Sequence, residues 1–552
     1  MPRRLAALVA LLAPLAVVSL GAAPASAQSY VPVSGSGSTW SQNALDQWRR
    51  NVNQFGMRIN YAGTGSSDGR NQFRNGTVDF AVSEIPYGLR DGNAVDTPPQ
   101  RGYAYMPIVA GGTAFMYNLK IGGQRVTNLR LSGDTIAAIF TAQITSWDDP
   151  RIKADNPGLA LPARRIVPVV RSDGSGTTAQ FTTWLATVYG GQWDEYCKRA
   201  GRTANPCGTT SQYPVVAGSG FTAQSGSLGV SGYVAQGQNE GAITYVEYSY
   251  ALNTGFPVAK MLNSAGFYVE PRASNVAVGL LGARIDNDPS SPTYLTQDLR
   301  GVYANADARA YPLSSYSYMV VPTRLESAFN EEKGRTLGAF AYYFLCEGQQ
   351  QADALGYSPL PINLVQAGLD VVTKIPGVQG QEVDIRKCNN PTFSASGENV
   401  LAKNAPQPPA CDKRGPDQCG TGTGGAKTST PVTTQRGAPD AAAASGGGAG
   451  SGAAPADTAT VAAGGDPVAL DPSALAADPS LADPSLDGAL DPAVAASGTT
   501  VSAVPVSLAA RDGWSTQSTL VLVALALLAA LVVGPPLAWR RLQAREAQGG
   551  QQ

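Results

Sequence analysis

Three segments of the sequence share one arrangement: a strand-like stretch leads into a loop rich in glycine and hydroxyl residues, and a run with helical spacing follows. The segments lie at residues 33–55, 57–69 and 165–185. The first turn of a helix has backbone N–H groups without an intrahelical partner, and such helix starts bind anions. If the helices converge, the loops form one anion site. The alternative is that each loop is only a capped turn between a strand and a helix.

The third of these loops carries the donors from which a tetrahedral oxyanion accepts hydrogen bonds. Ser175 and Thr177 have hydroxyl groups, and Arg171 has a planar guanidinium. An anion bound here would be held by neutral dipoles and one guanidinium rather than by several lysines. An ion pair between Arg171 and Asp173 is the structural alternative, and it is compatible with the binding role.

The composition favours binding over catalysis. The chain has 552 residues, a net charge of -1 and no histidine. This length predicts more than one domain, and the small net charge gives no reason to expect nucleic acid as a partner. Without histidine the chain has neither a Ser-His-Asp triad nor a zinc site with histidine ligands. We therefore expect a protein that is not an enzyme and has no cofactor; a phosphatase is the disfavoured alternative because no dense carboxylate cluster is present for a metal.

The first residues predict secretion. Arg3 and Arg4 precede an apolar run, and small residues end at Ala27. This pattern is typical of a secretory signal peptide, so we expect residues 1–27 to be cleaved. The alternative is an uncleaved membrane helix.

A second apolar segment near the other end predicts a membrane anchor. Residues 517–539 are long enough to span a bilayer, and Arg540 and Arg541 follow directly. By the positive-inside rule, residues 540–552 form a cytoplasmic tail, and the part of the chain before the helix lies outside the plasma membrane. The alternative is a buried helix of a soluble domain.

Between these segments the composition changes near residue 406. Residues 28–406 alternate strand-like and helical stretches, which predicts an α/β domain. Residues 407–512 are rich in alanine, glycine and Asp-Pro pairs, which predicts a disordered linker. Within it, residues 420–428 look like a phosphate-binding P-loop. Ala426 separates the last glycine from Lys427, however, and no apolar strand precedes the loop.

The motifs resemble those of a known family, the phosphate-binding components of phosphate-specific ABC importers, which have the periplasmic-binding-protein fold. The resemblance is carried in order along the chain by residues 35–40, 60–66, 76–84, 144–150, 156–159, 171–177 and 241–248. It implies an α/β fold with two lobes, joined by crossing strands, and phosphate between them. We place the first lobe at about 28–112 and 313–400 and the second at about 113–312.

Because the first lobe is discontinuous in sequence, the chain crosses between the lobes twice, and the cleft between them can close by a hinge motion. Gly111, Gly112 and Pro312 are the hinge candidates, and ordinary turns are the alternative.

The resemblance also implies which residues bind phosphate. They are Thr39, Trp40, Ser66, Glu84, Arg171, Ser175, Gly176 and Thr177, with Asp173 holding Arg171. Where the family usually has phenylalanine and proline, this chain has Trp40 and Ser41. A backbone contact tolerates that change better than a side-chain contact does.

Glu84 is the residue on which ligand choice is expected to depend. In the family this position is an aspartate that accepts a proton from bound phosphate. Sulfate has no proton near neutral pH, so a buried carboxylate faces it as an unpaired like charge. Glutamate keeps the acceptor but is one methylene longer, so the depth of the pocket must differ. The alternative is that Glu84, which precedes Pro86 by two residues, is only a surface acid in a turn.

The six cysteines fit an oxidising compartment. Sequential pairing is the simplest of fifteen connectivities, and a metal site is the weaker alternative because the chain has no Cys-x-x-Cys. The sequential pairs are Cys197 with Cys207, Cys346 with Cys388 and Cys411 with Cys419.

Together these features predict a monomeric protein, anchored in the plasma membrane by one C-terminal helix, that binds inorganic phosphate outside the cell. We expect it to deliver phosphate to the membrane subunits of an ABC permease, and a tether would raise its local concentration near them. The alternative is a surface sensor or adhesion protein that keeps the binding fold without a role in transport.

Overall fold

A computed structural model describes residues 30–433 except 92–93, 327, 379–384, 389 and 395. The predicted signal peptide, the predicted membrane helix and the predicted tail lie outside the described residues. Over the part of the chain that is described, no helix combines the length and the apolar character needed to cross a membrane.

The strands are given in chain order. They are β1 (Val33–Gly37), β2 (Ile59–Ala62), β3 (Phe80–Ser83), β4 (Arg90–Asp91), β5 (Ala94–Val95), β6 (Tyr103–Tyr117), β7 (Lys120–Ile121), β8 (Gln124–Arg125), β9 (Arg130–Leu131), β10 (Val167–Arg171), β11 (Thr222–Gln224), β12 (Ala242–Glu247), β13 (Val258–Leu262), β14 (Tyr268–Val269), β15 (Arg284–Ile285), β16 (Gln297–Asp298) and β17 (Ser314–Pro322).

The α-helices are numbered in the same way. They are α1 (Gln42–Asn53), α2 (Ser66–Arg74), α3 (Gly133–Phe140), α4 (Pro150–Asp155), α5 (Gly176–Val188), α6 (Gly190–Arg199), α7 (Gly226–Ala235), α8 (Tyr248–Thr254), α9 (Ala273–Leu280), α10 (Arg300–Tyr303), α11 (Glu331–Leu345), α12 (Ile362–Val372) and α13 (Val400–Lys403). Short 3-10 helices lie at Glu347–Gln351, Ile385–Cys388 and Ala410–Asp412.

A mixed 11-stranded sheet organises the domain, with the order β11-β10-β12-β6-β17-β3-β1-β2; β13 also pairs with β6, and β14 and β9 pair with β13. At one end β1 pairs in parallel with β2 and β3, and at the other β10 pairs in parallel with β11 and β12. Ligands of α/β proteins bind at the carboxyl ends of parallel strands. The loops that follow these strands are therefore the place for a site.

Strand β6 joins the two ends of the sheet. Its first part pairs with β17 and its last residues pair with β12, both in antiparallel fashion. Gly111 and Gly112 lie where the partner changes, opposite Ser315 and Ser314 of β17. The two glycines thus occupy the crossing between the halves of the sheet.

Two large hydrophobic clusters pack along β6. One contains Met106 of β6 and Trp48 of α1. The other contains Phe115 of β6 and Phe181 of α5, with a smaller cluster around Met116 on the same half of the sheet. We call the chain packed around the first cluster lobe 1 and the chain packed around the other two lobe 2. The fold is the α/β class that the sequence pattern predicts, with the two lobes that the family resemblance implies.

The structure differs from the predicted lobe boundaries at residues 273–298, which the sequence prediction assigns to lobe 2. Val276 and Leu295 lie in the core of lobe 1. Gln297 Nε2 donates to the Tyr316 carbonyl at 2.8 Å, and Gln297 Oε1 accepts from the Tyr316 N–H at 3.0 Å. The segment packs on β17, which is more than a dozen residues away in sequence, so local patterns do not reveal this placement.

A second difference concerns residues 407–433, which we call the C-terminal arm and which the sequence predicts to be disordered. Thr423 is buried in lobe 2: its Oγ1 donates to the Thr127 carbonyl at 2.9 Å and accepts from the Val258 N–H at 3.1 Å. Lys260 and Asp412 form a buried ion pair of 2.6 Å. The prediction of disorder is therefore wrong for the arm, because polar contacts rather than apolar side chains hold it. Residues 434–512 lie outside the described residues.

The three cysteine pairs of the sequential hypothesis are present as disulfides. One lies in lobe 2 between α6 and the loop after it, one links the end of α11 to the 3-10 helix at Ile385–Cys388, and one closes a loop of the C-terminal arm.

Candidate functional site

Four helix starts meet where the two lobes face each other. Helices α1 and α2 follow β1 and β2 in lobe 1, whereas α5 and α7 follow β10 and β11 in lobe 2. The loops touch directly: the Ser67 N–H donates to the Gly174 carbonyl at 3.0 Å, and the Gly176 N–H donates to Ser66 Oγ at 3.1 Å. The lobes are thus closed on one another at the predicted loops.

Local chemistry explains why the helices begin there. Ser175 caps α5, and its Oγ accepts from the Thr178 N–H at 3.1 Å. Gly65 precedes α2 with φ of 97°. This backbone conformation is strained for a residue that has a β-carbon, but not for glycine. A β-carbon at residue 65 would also stand 2.7 Å from Asp173 Oδ2 of the other lobe, so Gly65 permits the close approach of the two loops.

Glu84 lies at the centre of this contact, directly after β3, and is completely buried. Its Oε1 accepts from Ser38 Oγ at 2.6 Å and from Ser317 Oγ at 2.7 Å, and its Oε2 accepts from Ser66 Oγ at 2.8 Å. Across the cleft, Gln180 Nε2 of α5 donates to the Glu84 carbonyl at 2.7 Å. Glu84 is thus an internal acid held by hydroxyl groups, and the alternative of a surface turn acid is wrong.

Arg171 and Asp173 form a buried, two-point ion pair at the end of β10. Arg171 Nε donates to Asp173 Oδ1 at 2.7 Å, and Nη2 contacts Oδ2. Burial alone raises the pKa of the Asp173 carboxyl, but hydrogen bonds from Arg171 and from the Gly226 N–H outweigh it, so that the pKa lies below its usual value. Arg171 Nη1 donates to Ser227 Oγ at 3.3 Å. The ion pair fixes the guanidinium between α5 and α7.

Thr39 and Trp40 reach the site in different ways. Thr39 Oγ1 lies 2.9 Å from Ser227 Oγ and accepts from the Ser227 N–H at 3.0 Å, so it bridges the lobes. The Trp40 ring is buried and packs edge-on against Tyr357 at 5.8 Å between ring centroids. Its backbone N–H donates to Ser38 Oγ at 2.9 Å. Trp40 therefore contributes backbone to the loop and its side chain to the core.

Thr177, in the first turn of α5, has a buried hydroxyl for which the described residues offer no hydrogen-bond partner. With Ser175 and Gly176 it forms the start of the helix that faces Glu84. The structure therefore brings all nine predicted site residues to one cleft. They are Thr39, Trp40, Ser66, Glu84, Arg171, Asp173, Ser175, Gly176 and Thr177.

Four further residues belong to this cleft and escape the sequence prediction: Ser38, Gln180, Ser227 and Ser317. Ser227 lies in the first turn of α7, after strand β11 and Ser225, so the same strand, loop and helix pattern could have identified it. Ser317 lies inside a buried strand and has no local signal.

The site combines many neutral donors with one guanidinium and two carboxylates: Asp173 is paired with Arg171, whereas the Glu84 carboxylate accepts from hydroxyl groups. Such a set suits a small oxyanion that still carries a proton, since the carboxylate would repel a fully deprotonated anion. Among the described residues, no group of three or more Cys, Asp or Glu side chains is arranged to hold a metal ion.

Comparison with known proteins places the chain among binding proteins. A family described as the PBP superfamily domain matches residues 22–347. The phosphate-binding protein PstS of Xylella fastidiosa (strain Temecula1) is 33% identical over 338 residues, which are 61% of this chain and 83% of that protein.

Relatives from other lineages match the same part of the chain. The phosphate-binding protein PstS 3 of Mycobacterium leprae is 33% identical over 334 residues, covering 59% of this chain and 82% of that protein. The phosphate-binding protein PstS of Methanocaldococcus jannaschii is 29% identical over 362 residues, covering 63% of this chain and 87% of that protein.

Proposed function

Because the chain belongs to the PBP superfamily and to the family of phosphate-binding proteins PstS, we propose that it binds inorganic phosphate between its two lobes and delivers the ion to an ABC-type importer. It acts as a binding protein and not as an enzyme.

The observation that carries this proposal is the buried Glu84 carboxylate opposite the start of α5. A helix start favours an anion, whereas a carboxylate beside it disfavours one. The two requirements are compatible when the anion has an O–H group that it donates to the carboxylate. Phosphate has such a group near neutral pH and sulfate does not, so the geometry supports phosphate as the ligand.

The contacts in the cleft support a role for the predicted residues around Glu84. Arg171 would supply the positive charge, with Asp173 holding its guanidinium in place. Thr39 and the backbone N–H of Ser66, at the start of α2, would donate to the ion from one side, while the Ser66 hydroxyl donates to Glu84. The start of α5, at Ser175, Gly176 and Thr177, would donate from the other.

We further propose that the lobes move about Gly111 and Gly112. A β-carbon at residue 112 would stand 2.5 Å from Pro271 Cβ, and one at residue 111 would stand 2.8 Å from the Trp40 ring. Glycine is therefore needed at both positions in the closed form. Opening at this crossing would admit the ion, and closure would surround it.

The predicted signal peptide and membrane helix support a location outside the plasma membrane with one C-terminal anchor. Release of phosphate close to the membrane subunits of the importer is the expected consequence. Loss of labelled-phosphate uptake in cells that lack this protein would support transport, whereas unchanged uptake would favour the sensor or adhesion role.

Calorimetric titration of the purified protein with phosphate and with sulfate tests the ligand. We expect saturable heat with phosphate and none with sulfate at the same concentration. Arg171→Ala should weaken phosphate binding by at least about 2 kcal/mol, or about 30-fold, because it leaves the anion and Asp173 without their cation.

The matched control is Arg300→Ala. Arg300 forms an ion pair with Asp298 at the same spacing of two residues, but its side chain is 74% exposed. Exposed ion pairs contribute little, so this variant should bind phosphate as the wild type does. Binding of sulfate with equal affinity, or equal effects of the two arginine variants, would contradict the proposal.

A further inference from the structure

We propose that Ser317 is a positioning residue for anion selectivity, which acts by fixing the orientation of the Glu84 carboxylate. The inference rests on the proposed function and deepens it, since it identifies a residue outside the loops that determines which oxyanion the cleft accepts.

The two oxygens of the Glu84 carboxylate have different surroundings. Oε1 accepts from both Ser38 and Ser317, at 2.6 and 2.7 Å, whereas Oε2 accepts from Ser66 alone. A carboxylate oxygen can accept about two hydrogen bonds, so Oε1 is saturated and Oε2 has one remaining site. The oxygen that can accept from a ligand is therefore Oε2.

Oε2 is also the oxygen that faces lobe 2. A β-carbon built on Gly176 would stand 2.0 Å from Oε2, which places this oxygen against the start of α5. Ser38 and Ser317 thus hold Oε1, and this orientation turns Oε2 towards the start of α5.

The length of the glutamate side chain makes these two hydrogen bonds to Oε1 necessary. It has one more rotatable bond than aspartate, so its carboxylate has more orientations to lose when it is ordered. Hydrogen bonds from hydroxyl groups to a charged acceptor are stronger than those between neutral groups, and two of them on one oxygen define the plane of the carboxylate. Ser317 therefore restricts the orientations that are open to the Glu84 carboxylate.

The position of Ser317 connects the acid with the crossing between the lobes. Ser317 is completely buried, two residues beyond Ser315, which pairs with Gly111. The pairing of β17 with β6 shifts between Ser317 and Tyr318, and such an irregularity re-aims the adjacent side chain. Beyond the shift, Tyr318 pairs with Ser83, the neighbour of Glu84. The irregular pairing thus lies directly beside the acid that Ser317 contacts.

The expected consequence of losing the hydroxyl group is a change of selectivity rather than of stability alone. Without Ser317 the carboxylate can turn away from the ligand, so phosphate loses its acceptor and sulfate loses its repulsion. A merely structural residue would weaken the binding of both anions alike.

The test is a set of titrations of the full protein with phosphate, alone and in competition with excess sulfate. For Ser317→Ala we expect the ratio of sulfate to phosphate dissociation constants to fall by about 10-fold, the size expected for one hydrogen bond to a charged group. The control is Ser315→Ala on the same strand. Its hydroxyl is also buried but has no hydrogen-bond partner among the described residues, so the ratio should not change.

A double substitution shows whether Ser317 acts through Glu84. In a Glu84→Gln background, Ser317→Ala should change the ratio by less than about twofold, because coupled residues are not additive. If Ser317→Ala does not fold, Ser317→Cys, which keeps a weaker donor, is expected to lower the ratio in the same direction.

An unchanged ratio in Ser317→Ala, or an equal change with glutamine at position 84, would overturn the inference while leaving phosphate binding intact. A wild-type protein that binds neither anion would overturn the proposed function and this inference with it.

Discussion

Gly176 of lobe 2 lies so close to Glu84 of lobe 1 that a β-carbon at residue 176 would stand 2.0 Å from Glu84 Oε2 and 2.5 Å from Ser66 Oγ. Both atoms belong to the opposite lobe. The closed form therefore requires glycine at the start of α5, although nothing in the helix itself does.

This contact predicts that Gly176→Ala disfavours closure without harming either lobe. Overpacking of a buried contact costs about 1–3 kcal/mol, so phosphate affinity should fall by about 5- to 150-fold while the melting temperature without ligand stays nearly constant. Calorimetry and thermal unfolding measure the two effects. The control is Gly191→Ala in α6, where an added β-carbon has no neighbour within 4 Å. Undiminished phosphate affinity in Gly176→Ala would mean that the ion does not need the closed form.

A second prediction concerns Glu247, which is buried beside the crossing strands and accepts from the Ser249 N–H at 2.8 Å. Burial raises the pKa of this carboxyl well above its usual value, although hydrogen bonds from Ser249 oppose the shift. A carboxyl with a higher pKa in the folded protein stabilises the fold most below its unfolded pKa of about 4.3, and the contribution is lost as the pH rises.

Glu247→Gln should therefore stabilise the protein at pH 7 and have less effect near pH 4, because the amide has no charge to bury and resembles the protonated carboxyl in shape. Denaturant unfolding at the two pH values measures this. Glu398→Gln is the control, because Glu398 is half exposed in a surface ion pair with Lys403. Destabilisation by Glu247→Gln at pH 7 would show that the ionised carboxylate is required.

The part of the site that could be predicted from the sequence is the part built by local chemistry. At residues 171–177 the strand, the glycines, the hydroxyl groups and the helix start are adjacent in the chain, and the structure uses them together. The same pattern of strand, glycine, hydroxyl group and helix start also occurs at Gly226 and Ser227. Ser317 could not be predicted, because its contact with Glu84 depends on the pairing of β17 with β3 and on a shift of register beside it.

The predicted lobe boundaries differ from the structure for a related reason. Residues 273–298 return to lobe 1 through contacts of Gln297 with Tyr316, and no periodicity records which lobe a segment will meet. For the C-terminal arm the sequence predicts disorder, whereas the structure shows buried contacts. Its composition lacks the apolar residues by which order is usually recognised, and its burial rests on a disulfide and on hydrogen bonds to backbone groups.

Thr423 provides the test of whether the arm is a structural part of lobe 2. Its hydroxyl is completely buried and has partners on β13 and at Thr127. Thr423→Val keeps the shape of the side chain but leaves the buried N–H of Val258 without its acceptor, which should cost about 1–3 kcal/mol in the free energy of unfolding. Thr421→Val is the control on the same arm, because Thr421 is exposed and should change stability by less than about 0.5 kcal/mol. Equal stability of the two variants would mean that the arm detaches without cost, and the domain would then end near residue 406 as its composition suggests.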